Sequence, residues 1–486
     1  MHHRVAAAVV FVTSAAVLVL EILAGRMLAP YVGVTIETYT AIIGVCLAGI
    51  AAGSWAGGHL ADRIDPRRML GPLVVAGGAL AIASVPVIRT MGDATADDVG
   101  STTVTLAMAA FFLPALVLSA VSPTVVKLQL CDLEHTGIVV GRLSGIGTLG
   151  ALVGTFVTGF VLVAAVPTRT VVYALGAALV VLGTVLWAWL SRRHVPVVGA
   201  LLLAVAGSSA WAATSEVPCQ VESAYSCIRV TSESTTGRLL WINRDRHAYV
   251  DLAEPSHLEF EYTRDFADVV AEAWPGDGGL DAVHVGGGGF TVPRWLAAVR
   301  PGSRSVVLEV DPAVVDVARE RLGLRTSGDL RVDVGDARIG IRSVAADTVD
   351  LVVGDAFSDL SVPWHLTTRE FVEAVDRLLR PDGVYVMNVI DEGEQRFLKA
   401  EVATLREQFA FVAAISWPDT FEHGSLANTV LVASHRQLDA SAIAEAVDAR
   451  GEVLLTGDEL TGFAGDADVL TDDYAPVDQW LRDGRG

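Results

Sequence analysis

The chain has 486 residues, of which 52% are hydrophobic, and a formal net charge of −21. This length exceeds what one ordinary hydrophobic core serves, so we expect at least two domains. The acidic balance argues against nucleic acid as a partner, because phosphate recognition relies on lysine and arginine. It suits a cationic ligand, although an acidic surface serves solubility equally well.

The charges divide the chain into two parts. The first 213 residues hold 11 Lys and Arg against 9 Asp and Glu, whereas the remainder holds 24 against 47. The first part also carries apolar stretches of membrane-spanning length, near residues 5–25, 37–60, 69–91, 103–126, 139–166, 170–190 and 195–213. We therefore predict an α-helical membrane domain over residues 1–213, with about seven spans in the lipid bilayer of the cell membrane.

Basic residues in the short loops, such as Arg63, Arg67 and Arg68, predict that the N-terminus faces the cytoplasm. With seven spans, the acidic part then lies outside. There, Cys219 and Cys227, eight positions apart, can form a disulfide. On the inside they would be two thiols.

The segments IRVTS, GRLLWIN and HAYVDL are rich in β-branched and aromatic residues, which predicts a small antiparallel β-domain over residues 214–262. From Leu280 onward, strand patterns alternate with helix patterns. The strand segments are DAVHVG, SVVLEVD, LRVDVGDA, VDLVVGDAF and GVYVMNVI. This alternation predicts an α/β Rossmann-like domain over residues 263–486, with a parallel doubly wound sheet that binds its ligand at the carboxyl ends of the strands. FVAAISWP and TVLVAS are expected to add antiparallel strands.

The first of these strands is followed by four glycines, Gly286, Gly287, Gly288 and Gly289. A pyrophosphate site is not expected, because residue 291 is threonine where the dinucleotide fingerprint requires its third glycine. Three later strands end in acidic residues, namely Glu309, Asp336 and Asp355. Carboxylates at the ends of neighbouring parallel strands meet in one crevice, which predicts a nucleoside-binding site.

The motifs VGGGGF, LEVD, VGDA and VVGDAFSDLSVP resemble those of the spermidine synthase (polyamine aminopropyltransferase) family, and the apolar N-terminal part is similar to its membrane-fused subgroup with transporter-like spans. The resemblance implies an S-adenosylmethionine-type transferase fold. The nucleoside-binding residues it implies are Gly286, Gly287, Gly288, Glu309, Asp336 and Ala337. It assigns catalysis to Asp355 and binding of the amine to Asp359, Tyr225 and His247.

The resemblance also implies the reaction and its participants. The co-substrate would be decarboxylated S-adenosylmethionine or S-adenosylmethionine, the acceptor a small cationic amine such as putrescine, and no metal would take part. A homodimer is compatible with it. A cytoplasmic nucleoside donor requires the soluble part to be inside, whereas the span count and the cysteine pair favour the outside.

The glycine loop departs from the family at two positions. Gly289 stands where the family has aspartate, and Phe290 where it has glycine. The donor's amine thereby loses a carboxylate partner, which Asp472 or Asp473 could replace. Two alternatives therefore stay open: an S-adenosylmethionine-dependent methyltransferase, and a non-catalytic sensor or transporter accessory that binds a nucleoside or polyamine.

Overall fold

A computed structural model of the chain describes residues 1–32, 36–94, 99–130, 136–191, 219–357 and 361–483. These residues divide into two compact units, 1–227 and 228–486. The predicted boundaries of the membrane, β and α/β domains at residues 213 and 262 remain predictions.

The first unit is helical. Six of its helical segments are long and apolar enough to cross a membrane, with mean hydropathies of 1.6 to 2.5. They are His3–Val32, Thr38–Arg63, Pro66–Gly92, Thr103–Gln129, Thr136–Leu162 and Thr168–Leu190. The seventh predicted span, 195–213, lies outside the described residues. After them the unit contains the short strand β1 (Val221–Glu222) and a disulfide between Cys219 and Cys227.

The second unit begins with an antiparallel sheet. Its strands are β2 (Cys227–Ser232), β3 (Gly237–Ile242) and β4 (Asp245–Asp251), paired in that order. A helix over Glu261–Ala273 follows and buries Phe266, Val269 and Val270.

An eight-stranded sheet forms the centre of this unit. Its strands are β5 (Asp281–Val285), β6 (Arg304–Glu309), β7 (Leu330–Val334), β8 (Val349–Gly354), β9 (Leu379–Asp391), β10 (Phe411–Ser416), β11 (Ala427–Ser434) and β12 (Val453–Thr456). The spatial order is β12-β10-β11-β9-β8-β5-β6-β7. The strands from β9 to β7 in this order pair in parallel, and β11, β10 and β12 pair antiparallel. The predicted parallel sheet with antiparallel additions is therefore present.

Helices cover both faces of this sheet. Alternate residues of each strand point to opposite faces, so both faces carry apolar side chains that the helices bury. Val283 and Val285 contribute to one buried cluster, which also contains Phe371 and Phe397. Ala282, which alternates with them on β5, packs in the other cluster together with its β8 neighbour Leu351. The helices of the sheet are Thr291–Val299, Pro312–Arg321, Ala337–Gly340, Arg369–Asp376, Arg396–Gln408, Pro418–His423, Ala440–Asp448, Gly457–Ala464 and Val477–Asp483.

The segment Pro381–Gly383 lies within β9. The pairing of β9 with β8 shifts register there, from Leu379 opposite Val349 to Val384 opposite Leu351. The extra residues are thus accommodated as an irregularity within the strand.

Candidate active site

The glycine loop connects β5 to the helix that begins at Thr291. Gly286 has a φ of +98°, and a Cβ atom there would overlap the backbone carbonyl of Asp355. Both features require glycine, so this residue lets the ends of β5 and β8 approach each other. Phe290 also has a left-handed backbone, with a φ of +56°, and its ring is fully buried. A left-handed backbone at Phe290 fits a position where the family has glycine.

Glu309 ends β6 beside this loop, with only 7% of its surface exposed. One carboxylate oxygen accepts a hydrogen bond from the Gly287 backbone N–H at 2.8 Å, and the other accepts one from the Asp311 N–H at 2.8 Å. Burial raises the pKa of the Glu309 carboxyl, while these N–H donors act in the opposite direction. The carboxylate is thus held in a fixed orientation at the loop.

Asp336 and Ala337 follow β7 at the start of a short helix. The Asp336 carboxylate accepts a hydrogen bond from the Arg338 N–H at 2.8 Å and lies 3.4 Å from the His365 Nε2 atom. Its side chain is 41% exposed, so it remains accessible to a ligand. The Gly335 N–H donates to the Glu309 carbonyl at 2.8 Å, which ties the ends of β6 and β7 together.

Asp355 follows β8, and its backbone N–H donates to the Val285 carbonyl at 2.9 Å. Two side chains donate hydrogen bonds to its carboxylate, the Tyr262 hydroxyl and the Asn388 amide, each at 3.1 Å. Burial raises the pKa of Asp355 to about 6, although both hydrogen bonds favour the ionised form. The group is therefore mostly ionised at pH 7 and close to its titration range.

Tyr262 and Asn388 were not identified from the sequence. Tyr262 lies on the helix Glu261–Ala273 and Asn388 in β9, so each reaches Asp355 only through the fold. A signal existed for Asn388, because an amide inside the apolar run GVYVMNVI needs a hydrogen-bond partner.

A cleft lies between the glycine loop and Asp355, and Glu309, Asp336 and Ala337 are not among the described residues that line it. The predicted residues that line it are Gly286, Gly287, Gly288, Gly289, His247 and Asp355, and Tyr262 and His284 also line it. Burial lowers the pKa of His247 to about 4, so its imidazole is neutral at pH 7. His247 can therefore accept or donate a hydrogen bond and carries no positive charge at pH 7.

The structure explains why residue 289 is glycine. A Cβ atom at Gly289 would lie 2.7 Å from Ala248 Cβ and 3.0 Å from Val250 Cγ2, both on β4. An aspartate there would have to displace this strand. The close packing of β4 on the loop therefore excludes a carboxylate side chain at residue 289.

Three other predicted residues are not among the described residues that line the cleft. Asp472 accepts hydrogen bonds from Arg338 at 2.6 Å and Thr368 at 2.7 Å, so its carboxylate already has partners within the chain. Tyr225 belongs to the first unit and is 53% exposed. Asp359 lies outside the described residues. The described part of the chain holds no group of three His, Cys, Asp or Glu residues arranged for a metal ion.

No family model matches the chain. A polyamine aminopropyltransferase of Vibrio vulnificus is 35% identical over 127 residues, which cover 26% of this chain and 42% of that protein. Another, from Chromobacterium violaceum, is 29% identical over 139 residues, covering 29% and 52%. An eEF1A lysine and N-terminal methyltransferase of Xenopus laevis is 28% identical over 139 residues, covering 27% and 20%.

Among solved structures, a probable spermidine synthase from Corynebacterium glutamicum aligns with a TM-score of 0.49 and 29% identity, covering 54% of this chain and 99% of that chain. The chain spans about half the length of the two bacterial aminopropyltransferases it matches. It resembles the polyamine aminopropyltransferase family.

Proposed function

We propose that the chain is a membrane-anchored transferase that moves an aminopropyl group from decarboxylated S-adenosylmethionine to a small amine such as putrescine. The observation that carries this proposal is the Asp355 carboxylate, held by Tyr262 and Asn388 in the same cleft as the glycine loop. The aminopropyltransferases among its relatives support the kind of reaction.

The nucleoside would occupy the ends of β5, β6 and β7. Glu309, held beside the glycine loop, would offer its carboxylate oxygens to the ribose hydroxyls. Asp336, which is partly exposed, would accept a hydrogen bond from the adenine amino group. Each of these groups is a hydrogen-bond acceptor for a donor on the nucleoside.

Asp355 would then prepare the acceptor amine. The amine nitrogen attacks the carbon next to the sulfonium, so a C–N bond forms while the C–S bond breaks. The electron pair of the C–S bond goes to sulfur, and neutral methylthioadenosine leaves. Asp355 aligns the attacking nitrogen and takes its proton, which passes on to solvent. A pKa of about 6 suits a base that works near neutral pH.

Methyl transfer from S-adenosylmethionine is the alternative that Gly289 keeps open. Decarboxylation leaves the donor's tail with an amine alone, and a carboxylate at residue 289 would pair with it. The full chain in lipid nanodiscs should therefore be given each donor with putrescine, and its products analysed by mass spectrometry. Methylthioadenosine and spermidine would support aminopropyl transfer, whereas S-adenosylhomocysteine would support methyl transfer. The variant Asp355→Asn should form neither aminopropyl product, and Asp316→Asn, at an exposed carboxylate, should match the wild type.

A second candidate, extracytoplasmic binding of a nucleoside or polyamine without catalysis, is favoured by contacts within the first unit. Glu222 accepts a hydrogen bond from the Thr168 N–H at 3.2 Å, and Arg26 donates to the Ser223 carbonyl. Glu222 and Ser223 therefore lie at the end of the unit where the sixth span begins. If successive spans alternate in direction, this end is opposite the N-terminus.

An inside N-terminus would then put the second unit, which begins at Ile228, outside the cytoplasm. The Cys219–Cys227 disulfide suits an oxidising compartment. A reporter fused to the C-terminus decides the side: a fluorescent protein that matures only in the cytoplasm should stay dark, and an exported phosphatase should be active. The opposite pattern would remove this candidate and favour catalysis.

A further inference from the structure

Three arginines line a pocket in the helical unit. The polar residues that line it are Arg26, Arg89, Arg169, Tyr31, Thr168 and Glu222. Glu222 is the one carboxylate among the described lining residues, and it lies 3.5 Å from the Arg26 guanidinium, which also donates to the Val163 and Ser223 carbonyls. A pocket lined by three guanidinium groups suits an anion.

The placement of these arginines is unusual for a membrane protein. Arg26 and Arg89 lie toward the carboxyl ends of the first and third spans, and Arg169 is at the beginning of the sixth. With spans alternating in direction, these three ends share one face, opposite the face that carries Arg67 and Arg68. The rule that places basic residues in cytoplasmic loops does not account for them. Arg89 is also 8% exposed, and burying a guanidinium within a span is costly.

One buried hydroxyl at the pocket points to a ligand independently of the charge. Thr168 is 2% exposed and lines the pocket, and its hydroxyl has no hydrogen-bond partner among the described residues. Buried hydroxyls normally have a hydrogen-bond partner, so this donor indicates a missing acceptor.

We propose that this pocket binds a phosphate group. Guanidinium groups match the oxygens of phosphate in pairs, and the Thr168 hydroxyl is an additional donor. Thr168 begins a helix of 24 residues, and the Glu222 carboxylate already accepts a hydrogen bond from its first N–H, so the phosphate would be held by the guanidinium groups and the Thr168 hydroxyl. The phosphate can belong to a phospholipid headgroup, which lies at the depth of span ends, or to a soluble phosphate compound.

The full chain, purified in detergent, tests this in two arms. Native mass spectrometry with added phosphatidylglycerol measures retention of a phospholipid, and calorimetry with inorganic phosphate measures binding of the soluble ion. Arg169→Gln should weaken binding roughly 10- to 100-fold in whichever of the two measurements detects the ligand, because a charged hydrogen-bond partner is lost. Arg142→Gln, which removes an exposed arginine near the start of the fifth span, should bind like the wild type.

Loss of phospholipid retention alone in Arg169→Gln assigns the site to a headgroup, and loss of phosphate binding assigns it to a soluble compound. Thr168→Val keeps the charges and the side-chain shape, so it tests the pocket if Arg169→Gln does not fold. It should weaken binding roughly 3- to 10-fold. Equal binding by the wild type, Arg169→Gln and Thr168→Val in both arms, or no binding in either, would overturn the proposal.

Discussion

Replacing Asp355 with asparagine should stabilise the second unit at neutral pH while abolishing turnover. Burial raises the pKa of Asp355 from its usual 3.8 to about 6, so the ionised carboxylate destabilises the folded state. Each unit of pKa shift corresponds to about 1.4 kcal/mol, so the gain in unfolding free energy from Asp355→Asn should be at most about 3 kcal/mol. Asparagine is neutral; its amide oxygen can accept from Asn388, and its amide N–H can donate to the Tyr262 hydroxyl oxygen, which reverses that hydrogen bond.

The pH dependence follows from the direction of the shift. Between pH 3.8 and about 6 the folded state binds more protons than the unfolded state, so the wild type loses stability as the pH rises through this window. Asp355→Asn has no such loss. The stability difference between the two should therefore be near zero below pH 4, grow up to about pH 6, and stay constant above it.

Pulse proteolysis in urea measures this difference on the full chain in nanodiscs, because the unfolded second unit is cleaved selectively. The same comparison with Asp316→Asn, at an exposed carboxylate, serves as the control. A wild type that is as stable as Asp355→Asn at pH 7.5, or a difference that does not change with pH, would refute the assignment of a strained, buried carboxylate.

Two further variants test the surroundings of the cleft. Tyr262→Phe removes a hydrogen bond that favours the ionised form of Asp355, so the pKa of Asp355 should rise above about 6. The acidic limb of the pH–rate profile should then move to higher pH. An acidic limb at the same pH as in the wild type would show that Tyr262 does not tune the catalytic carboxylate. Gly289→Ala should cost about 1 to 3 kcal/mol in the same proteolysis assay, because its methyl group meets β4 at 2.7 Å. Gly328→Ala, with open space at its Cβ position, should cost less, and equal costs would contradict the packing argument.

The sheet could be predicted because its signals are local. Apolar runs such as DAVHV and DLVV mark β5 and β8, and the glycine or acidic residue after each run marks its carboxyl end. β12 was not predicted, because four half-buried residues give no clear period. The register irregularity in β9 was also beyond the sequence pattern.

The site was only partly accessible from the sequence. Glu309, Asp336 and Asp355 could be found because each ends a strand, and parallel strands end at one edge. Tyr262 reaches Asp355 from a helix 93 positions earlier, and this contact is set by packing alone. The reason for Gly289 also needed the fold, since only the position of β4 shows what occupies the space of a side chain.

The central claim is that the cleft beside the glycine loop binds an S-adenosyl nucleoside. Calorimetric titration of the full chain in nanodiscs with methylthioadenosine tests it most directly, with Glu309→Gln and, as a control at an exposed carboxylate, Glu320→Gln. The wild type and Glu320→Gln should bind one nucleoside per chain. Glu309→Gln should bind roughly 10- to 100-fold more weakly, as expected for the loss of a charged acceptor. Absence of binding heat at millimolar methylthioadenosine, or equal affinity in Glu309→Gln, would contradict the claim.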